Sequence, residues 1–158
     1  MSRLTHVGSD GTAQMVDVSA KDKSVREATA VGRIHLQSNT IEQVFTGNLP
    51  KGDALTVARI AAVQAAKKTS DLIPLCHPLM IDHAQVEFTR ETQSIAINVT
   101  IRCTGRTGVE MEALAAVSVG LLTLYDMVKA IEREAQIDGV ALVKKTGGRS
   151  GSWARSSR

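Results

Sequence analysis

Two prolines bracket a cysteine–histidine pair in Asp71-Leu72-Ile73-Pro74-Leu75-Cys76-His77-Pro78-Leu79. Proline fixes its own φ and pushes the preceding residue out of the helical region. Leu75, Cys76 and His77 are therefore expected to be extended and rigid. Histidine is the side chain most easily set to give or take a proton near neutral pH. The segment is either a loop that presents groups to a ligand or a buried loop that happens to contain a histidine. A Cys76–His77 dyad is weakened because neighbours on an extended strand point to opposite sides. Cys76, His77 and His83 are conceivable metal ligands, but no Cys-x-x-Cys or His-x-x-x-His pair accompanies them. No metal site is expected.

Asp126 and Lys129 are three residues apart, on one face of a helix, within the apolar run Leu121, Leu122, Leu124, Tyr125, Met127 and Val128. On a solvated face this is an ordinary ion pair. In an apolar stretch at least partial burial is expected, and buried pairs are a weak route to stability. An acid/base couple with shifted pKa values is then the alternative. Gly105-Arg106-Thr107-Gly108-Val109-Glu110-Met111-Glu112 places glycines before a helix, where backbone amides bind anions. Glu110 and Glu112 would repel phosphate there, and helix-capping carboxylates explain them as well. The segment matches neither a P-loop nor a Rossmann fingerprint. Lys51, in a Pro-Lys-Gly turn, is either solvated surface or aimed at a phosphate.

These groups need a scaffold. Val31 to Leu36 suits a strand, with Ile34 and Leu36 on one face and Arg33 and His35 on the other. Asn39-Thr40-Ile41-Glu42 reads as a capping box for a helix that Gly47 ends. Asp53 is a plausible N-cap for a helix carrying Leu55, Ala58, Ala62 and Ala65 and ending near Lys68. Lys67 and Lys68 then suit the negative end of the helix dipole. Ala84, Val86 and Phe88 alternate, as do Ile95, Ile97, Val99, Ile101 and Cys103, with a hairpin loop from Arg90 to Ser94. A long helix is expected from about Val109 to Gln136, and a last strand around Val140 and Leu142. This order is close to β-α-β-β-α-β. The expected class is α+β: a ferredoxin-like antiparallel sheet with helices packed on one face and an extra helix in the first crossover. An uncovered sheet face would favour an oligomer.

The 158 residues fit one domain, 1–158, with flexible ends at about 1–14 and 147–158. Aromatics are only 3% against 43% hydrophobic residues, so the core must be aliphatic and Ala-rich. The net charge of +3 is local. Lys144, Lys145, Arg149, Arg155 and Arg158 crowd the C-terminus with no acid among them, and without them 14 basic residues face 16 acidic ones. That argues against a broad nucleic-acid surface but leaves room for a local anion site. Two cysteines are too few for a disulfide scaffold. No N-terminal apolar run resembles a signal peptide, and no stretch is expected to be long enough to span a membrane. A reducing cytoplasm fits best, with both cysteines as thiols.

Pro50-Lys51-Gly52-Asp53, Lys67-Lys68-Thr69, the Asp71–Leu79 segment, Thr104-Gly105-Arg106-Thr107-Gly108-Val109-Glu110-Met111-Glu112-Ala113-Leu114 and Leu124-Tyr125-Asp126-Met127-Val128-Lys129-Ala130 together resemble the cyclic pyranopterin monophosphate synthase family of molybdenum cofactor biosynthesis. The resemblance covers nearly the whole chain, from Met15 to Gly151. It implies conversion of (8S)-3′,8-cyclo-7,8-dihydroguanosine 5′-triphosphate to cyclic pyranopterin monophosphate and pyrophosphate, without redox change or redox cofactor. It implies Asp126 and Lys129 as the acid/base centre, Lys51 on the phosphates and His77 as a hydrogen-bonding or proton-relaying group. Leu75, Cys76, Met111 and Glu112 match positions lining the family's pocket, and Glu112 suits the N–H-rich edge of the base. Lys67, Arg26 and Lys145 are further candidates for phosphate contacts. The family forms hexamers, trimers of dimers, with active sites at dimer interfaces. Two other classes compete. An RNA-binding module would need aromatics on the sheet, and neither hairpin strand carries an aromatic pair. A purely structural subunit leaves Asp126, Lys129 and the proline-bracketed histidine without a purpose.

Overall fold

A computed structural model describes residues 11–149 and 151–156. The chain runs β1 (Ser24–His35), α1 (Ser38–Thr46), α2 (Ala54–Lys67), α3 (Thr69–Leu72), β2 (His83–Arg90), β3 (Ser94–Gly105), α4 (Glu110–Val128), β4 (Gln136–Thr146) and β5 (Trp153–Ala154). The strands form one antiparallel sheet in the order β2-β3-β1-β4-β5. Its first four strands follow the ferredoxin-like path, with α1 to α3 in the first crossover. This is the expected α+β class. Part of the expected flexible N-terminal end, residues 1–10, lies outside the described residues, as do 150, 157 and 158. Beyond Gly151, Trp153 and Ala154 pair with Lys145 and Lys144 of β4.

The alternation in β3 works as expected. Ile95, Ile97, Val99, Ile101 and Cys103 are fully buried under the helices. The opposite face is polar: the hydroxyls of Thr29 and Thr100 are 2.9 Å apart, and Arg102 donates to Glu27 at 2.7 Å. α4 lies across β1, β3 and β4, and α2 packs on α4. Small residues set that helix spacing. A Cβ added to Gly120 would sit 2.7 Å from Ile97 Cδ1 and 3.4 Å from Ala62 Cβ. Ala54, Ala58, Ala62, Ala113 and Ala116 are fully buried, so the core is aliphatic and Ala-rich, packed by close approach rather than by large side chains.

Four local expectations need correction. β1 begins at Ser24, seven residues before Val31, because it is the central strand and pairs with both β3 and β4. Its buried positions there are Ala28 and Ala30, too small to show a period. The capping box does not form: α1 starts at Ser38, Gln37 is the N-cap without a side-chain bond, and Glu42 instead accepts from Arg90 at 2.6 Å. The carboxylate of Glu132 takes over at this helix entry, accepting from the Gln37 amide at 3.1 Å. α4 stops at Val128, not near Gln136, because Gln136 and Ile137 are recruited to pair with His35 and Ile34. Finally, the 19-residue α4 is long and apolar enough to cross a membrane by length and composition, contrary to expectation. Half of that apolar window is buried inside the protein, where it forms the core helix.

Candidate active site

The turn Leu49–Gly52 closes with the Gly52 amide donating to the Leu49 carbonyl at 3.0 Å, and Gly52 takes a φ of 90° that glycine tolerates freely. Asp53 then caps α2, accepting from the Thr56 amide at 3.0 Å. This fixes Lys51 beside the C-terminal end of α4. Its ammonium donates to Asp126 Oδ2 at 2.9 Å and to the Asp126 carbonyl at 2.8 Å. Lys129 Nζ lies 2.7 Å from Asp126 Oδ1. Each carboxylate oxygen thus holds one ammonium, and the two lysines come from different elements. Hydrogen bonds from Lys129 first and Lys51 second hold the Asp126 carboxyl down at about 2, and Asp126 raises Lys129 in return. Burial was expected here and is not found: the side chains of Asp126, Lys129 and Lys51 are 54%, 51% and 40% exposed. The apolar neighbours Leu124, Met127 and Val128 face the core, while Asp126 and Lys129 occupy the outer side of the same turns.

The Asp71–Leu79 segment sits at the other end of α4. Thr69 ties it to α2, donating to the Ala65 carbonyl at 2.9 Å. The segment is not extended throughout. The Cys76 amide donates to the Ile73 carbonyl at 3.0 Å, so a turn centred on Pro74-Leu75 precedes the extended run from His77. Leu75, Cys76 and His77 line a cleft of about 260 Å³ with Met111 and Glu112 from the first turn of α4, and with Val16 and Val18 from the N-terminal segment. Glu112 is only 2% exposed, and its Oε2 has no hydrogen-bond partner among the described residues. Burial, with a smaller push from Glu110, raises its carboxyl above the ordinary value. Burial and the two glutamates also raise the Cys76 thiol, which argues against a thiolate nucleophile. Cys103 is pushed further, to about 11, chiefly by burial in the core. Among the described residues, no three His, Cys, Asp or Glu side chains come together in a way that could hold a metal ion.

A buried carboxyl oxygen without a partner costs about 1–3 kcal/mol. Glu112→Gln removes the charge. Glu112 has a folded value above its unfolded one, so its contribution is fully present below the unfolded value and is lost as pH rises through the folded value. The variant is therefore expected to melt about 3 °C higher than the parent at pH 8, with the gain shrinking towards pH 5. Thermal unfolding at the two pH values checks this; an equal shift at both would mean that charge is not the cause.

A second, larger groove of about 970 Å³ adjoins the cleft, and Lys21, Thr107, Gly108 and Glu110 line both. Arg26 and Lys145, expected from the sequence, line the groove. Lys67 lines neither cavity; it is exposed at the end of α2. Lys21, Arg106 and Arg149 also line the groove and were not expected. Arg106 sits between Gly105 and Thr107-Gly108 ahead of α4, where a lone cation in a glycine-rich turn carries no signal of its own. Lys21 and Arg149 sit in turn-like and glycine-rich stretches, where a cation reads as ordinary surface.

A protein-family model described as the MoaC family matches residues 15–148. The chain is 51% identical over 157 residues to the cyclic pyranopterin monophosphate synthase of Chloroflexus aggregans, an alignment covering 98% of this chain and 95% of the relative. It is 53% identical over 153 residues to that of Roseiflexus castenholzii, covering 96% and 97%. It is 51% identical over 154 residues to that of Corynebacterium glutamicum, covering 98% and 99%. With a matching model over most of its length and relatives this close end to end, the chain belongs to the MoaC family.

Proposed function

We propose that this protein is a cyclic pyranopterin monophosphate synthase, converting (8S)-3′,8-cyclo-7,8-dihydroguanosine 5′-triphosphate to the cyclic monophosphate with release of pyrophosphate. The observation that carries this reading beyond family membership is the Lys51–Asp126–Lys129 cluster. A carboxylate held ionised between two ammonium groups, yet half exposed, is poised to act on a ligand rather than to staple the fold. The reaction opens the five-membered ring of the former purine, closes the pyranopterin and lets a ribose-derived oxygen attack the proximal phosphate. Each step moves protons, for which Asp126 and Lys129 are the acid/base couple; their pairing holds both away from neutral pH, so a ligand must draw an ammonium off the carboxylate before a proton passes. Lys51 supplies positive charge for the leaving pyrophosphate. His77 adds a hydrogen bond or a proton relay. Glu112 lines the cleft with an acceptor oxygen that has no partner among the described residues, which suits the N–H donors of the guanine-derived edge. Leu75, Cys76 and Met111 line the same cleft, and Arg26 and Lys145, which line the adjoining groove, would meet the phosphates. The reaction as written involves no electron transfer, so no redox cofactor enters the proposal.

Glu112 and Asp126 are 14 residues apart on one continuous helix, which separates them by roughly 20 Å at 1.5 Å per residue. One substrate molecule cannot bridge both ends of α4 within a chain. We therefore place each active site between two chains; the homohexamer, a trimer of dimers, is what the family resemblance implies, and the cytoplasm, without nucleic acid or membrane as partner, completes the proposal. The test is incubation of the purified oligomer with the cyclised GTP derivative. Cyclic pyranopterin monophosphate and pyrophosphate are expected in equal amounts; a folded oligomer that forms neither would overturn the proposal.

A further inference from the structure

Glu110 lies where the two cavities meet and lines both. It does not extend into solvent from the start of α4. Its carboxylate folds back over Gly108, into space that any Cβ at that position would fill. There it meets Lys145 of β4, with Oε1 3.2 Å from Nζ. Both side chains are largely enclosed, at 29% and 25% exposed, so the pair is screened less than the other ion pairs. Around the pair, Lys21, Arg26, Arg106 and Arg149 line the groove together with Asp17, Asp22 and Glu27. Arg26 is engaged elsewhere, donating to the carbonyls of Gly105 and Arg106 at 3.4 Å and pressed against the Gly147-Gly148 turn. An enclosed carboxylate thus sits on an enclosed lysine, in a groove where the four other cations outnumber the three other carboxylates by one.

We propose that Glu110 is a stand-in for the polyphosphate of the substrate: it pairs with Lys145 until phosphate oxygens take its place, and it reclaims Lys145 as pyrophosphate leaves. This rests on the reading that the groove takes the triphosphate end of the substrate. Two anions compete for one ammonium, so each weakens the other's hold by the same factor. The carboxylate, tethered on α4 and always present, keeps pyrophosphate from lingering. It also prefers ligands carrying several phosphate charges, since a weakly charged one cannot displace it.

Calorimetric titration of the full-length oligomer with inorganic pyrophosphate tests the exchange. Glu110→Gln is expected to tighten pyrophosphate binding at least about fivefold. Loss of a negative charge would aid any anion at long range, so the same substitution is also made in Lys145→Gln protein. There, exchange predicts that the gain falls within about twofold. A gain of equal size in both backgrounds would reduce Glu110 to a distant repulsive charge and overturn the proposal. Equal binding by wild type and Glu110→Gln would overturn it while leaving the polyphosphate groove standing. Binding by neither protein would remove the groove's role along with it.

Discussion

Replacing Lys129 by alanine is expected to lower product formation about a thousandfold, with the fold and oligomer retained. Lys129 caps the C-terminal end of α4 with its side chain half exposed, whereas Leu124 and Val128 beside it are fully buried. Its removal takes away one of the two ammonium groups on Asp126 and the nearest proton donor to it. The carboxyl of Asp126, now held by Lys51 alone, moves up from about 2. In the parent protein its depressed value means that Asp126 stays ionised throughout neutral and mildly acidic pH. The stability it contributes is present above the ordinary value of 3.8 and fades as pH falls through 4 towards 2. An acid limb in the activity profile near pH 5 to 6 would therefore belong to another group. Asp126→Asn is expected to be equally inactive, since an amide accepts no proton. Lys129→Arg keeps the charge but presents a fixed planar fork in place of a compact ammonium, so it is expected to restore only part of the rate. Steady-state kinetics on the folded proteins check all three. Loss confined to KM in the alanine variant would move Lys129 from proton transfer to binding.

What the sequence made legible follows from the physics of each signal. The five alternating residues of β3 found their face because period-two burial is read directly from residue type. The Asp53 cap and the Gly47 stop of α1 are local chemistry and formed locally. The failed capping box shows the limit: Gln37 is satisfied by Glu132, a partner nearly a hundred residues away that no local motif contains. The N-terminal half of β1 was hidden because Ala28, Ala30 and Gly32 carry too little side chain to announce a buried face. At the site, Lys51 and Asp126 were each singled out in sequence, but their contact depends on α2 and α4 running antiparallel, a tertiary fact. The exposure of that pair was missed for the converse reason. An apolar neighbourhood in sequence is not one in space when a helix buries one side and exposes the other.

Two inactive variants mixed together are expected to recover activity, and this is the sharpest consequence of the length of α4. His77 and Glu112 stand at one end of that helix and Asp126 and Lys129 at the other. If each active site draws one end from each chain, Asp126→Ala and His77→Ala damage opposite halves. In a dimer of one variant with the other, one site combines both lesions and its symmetry mate combines the two intact ends. Random reassortment at equal amounts puts half of the chains in mixed dimers, so about a quarter of all sites, and of wild-type activity, is expected to return. Co-expression or joint refolding supplies the mixing, and each variant alone supplies the baseline. His77→Ala must itself be close to inactive for the recovery to be legible; Glu112→Ala, which removes another side chain lining the same cleft, serves as its replacement. Two variants damaged at the same end, Asp126→Ala with Lys129→Ala, recover nothing, because every site in the mixture still lacks a residue of that cluster. Recovery by that same-end pair, or none by the opposite-end pair in verified mixed oligomers, would return both ends of α4 to a single chain and force a different account of how a substrate reaches them.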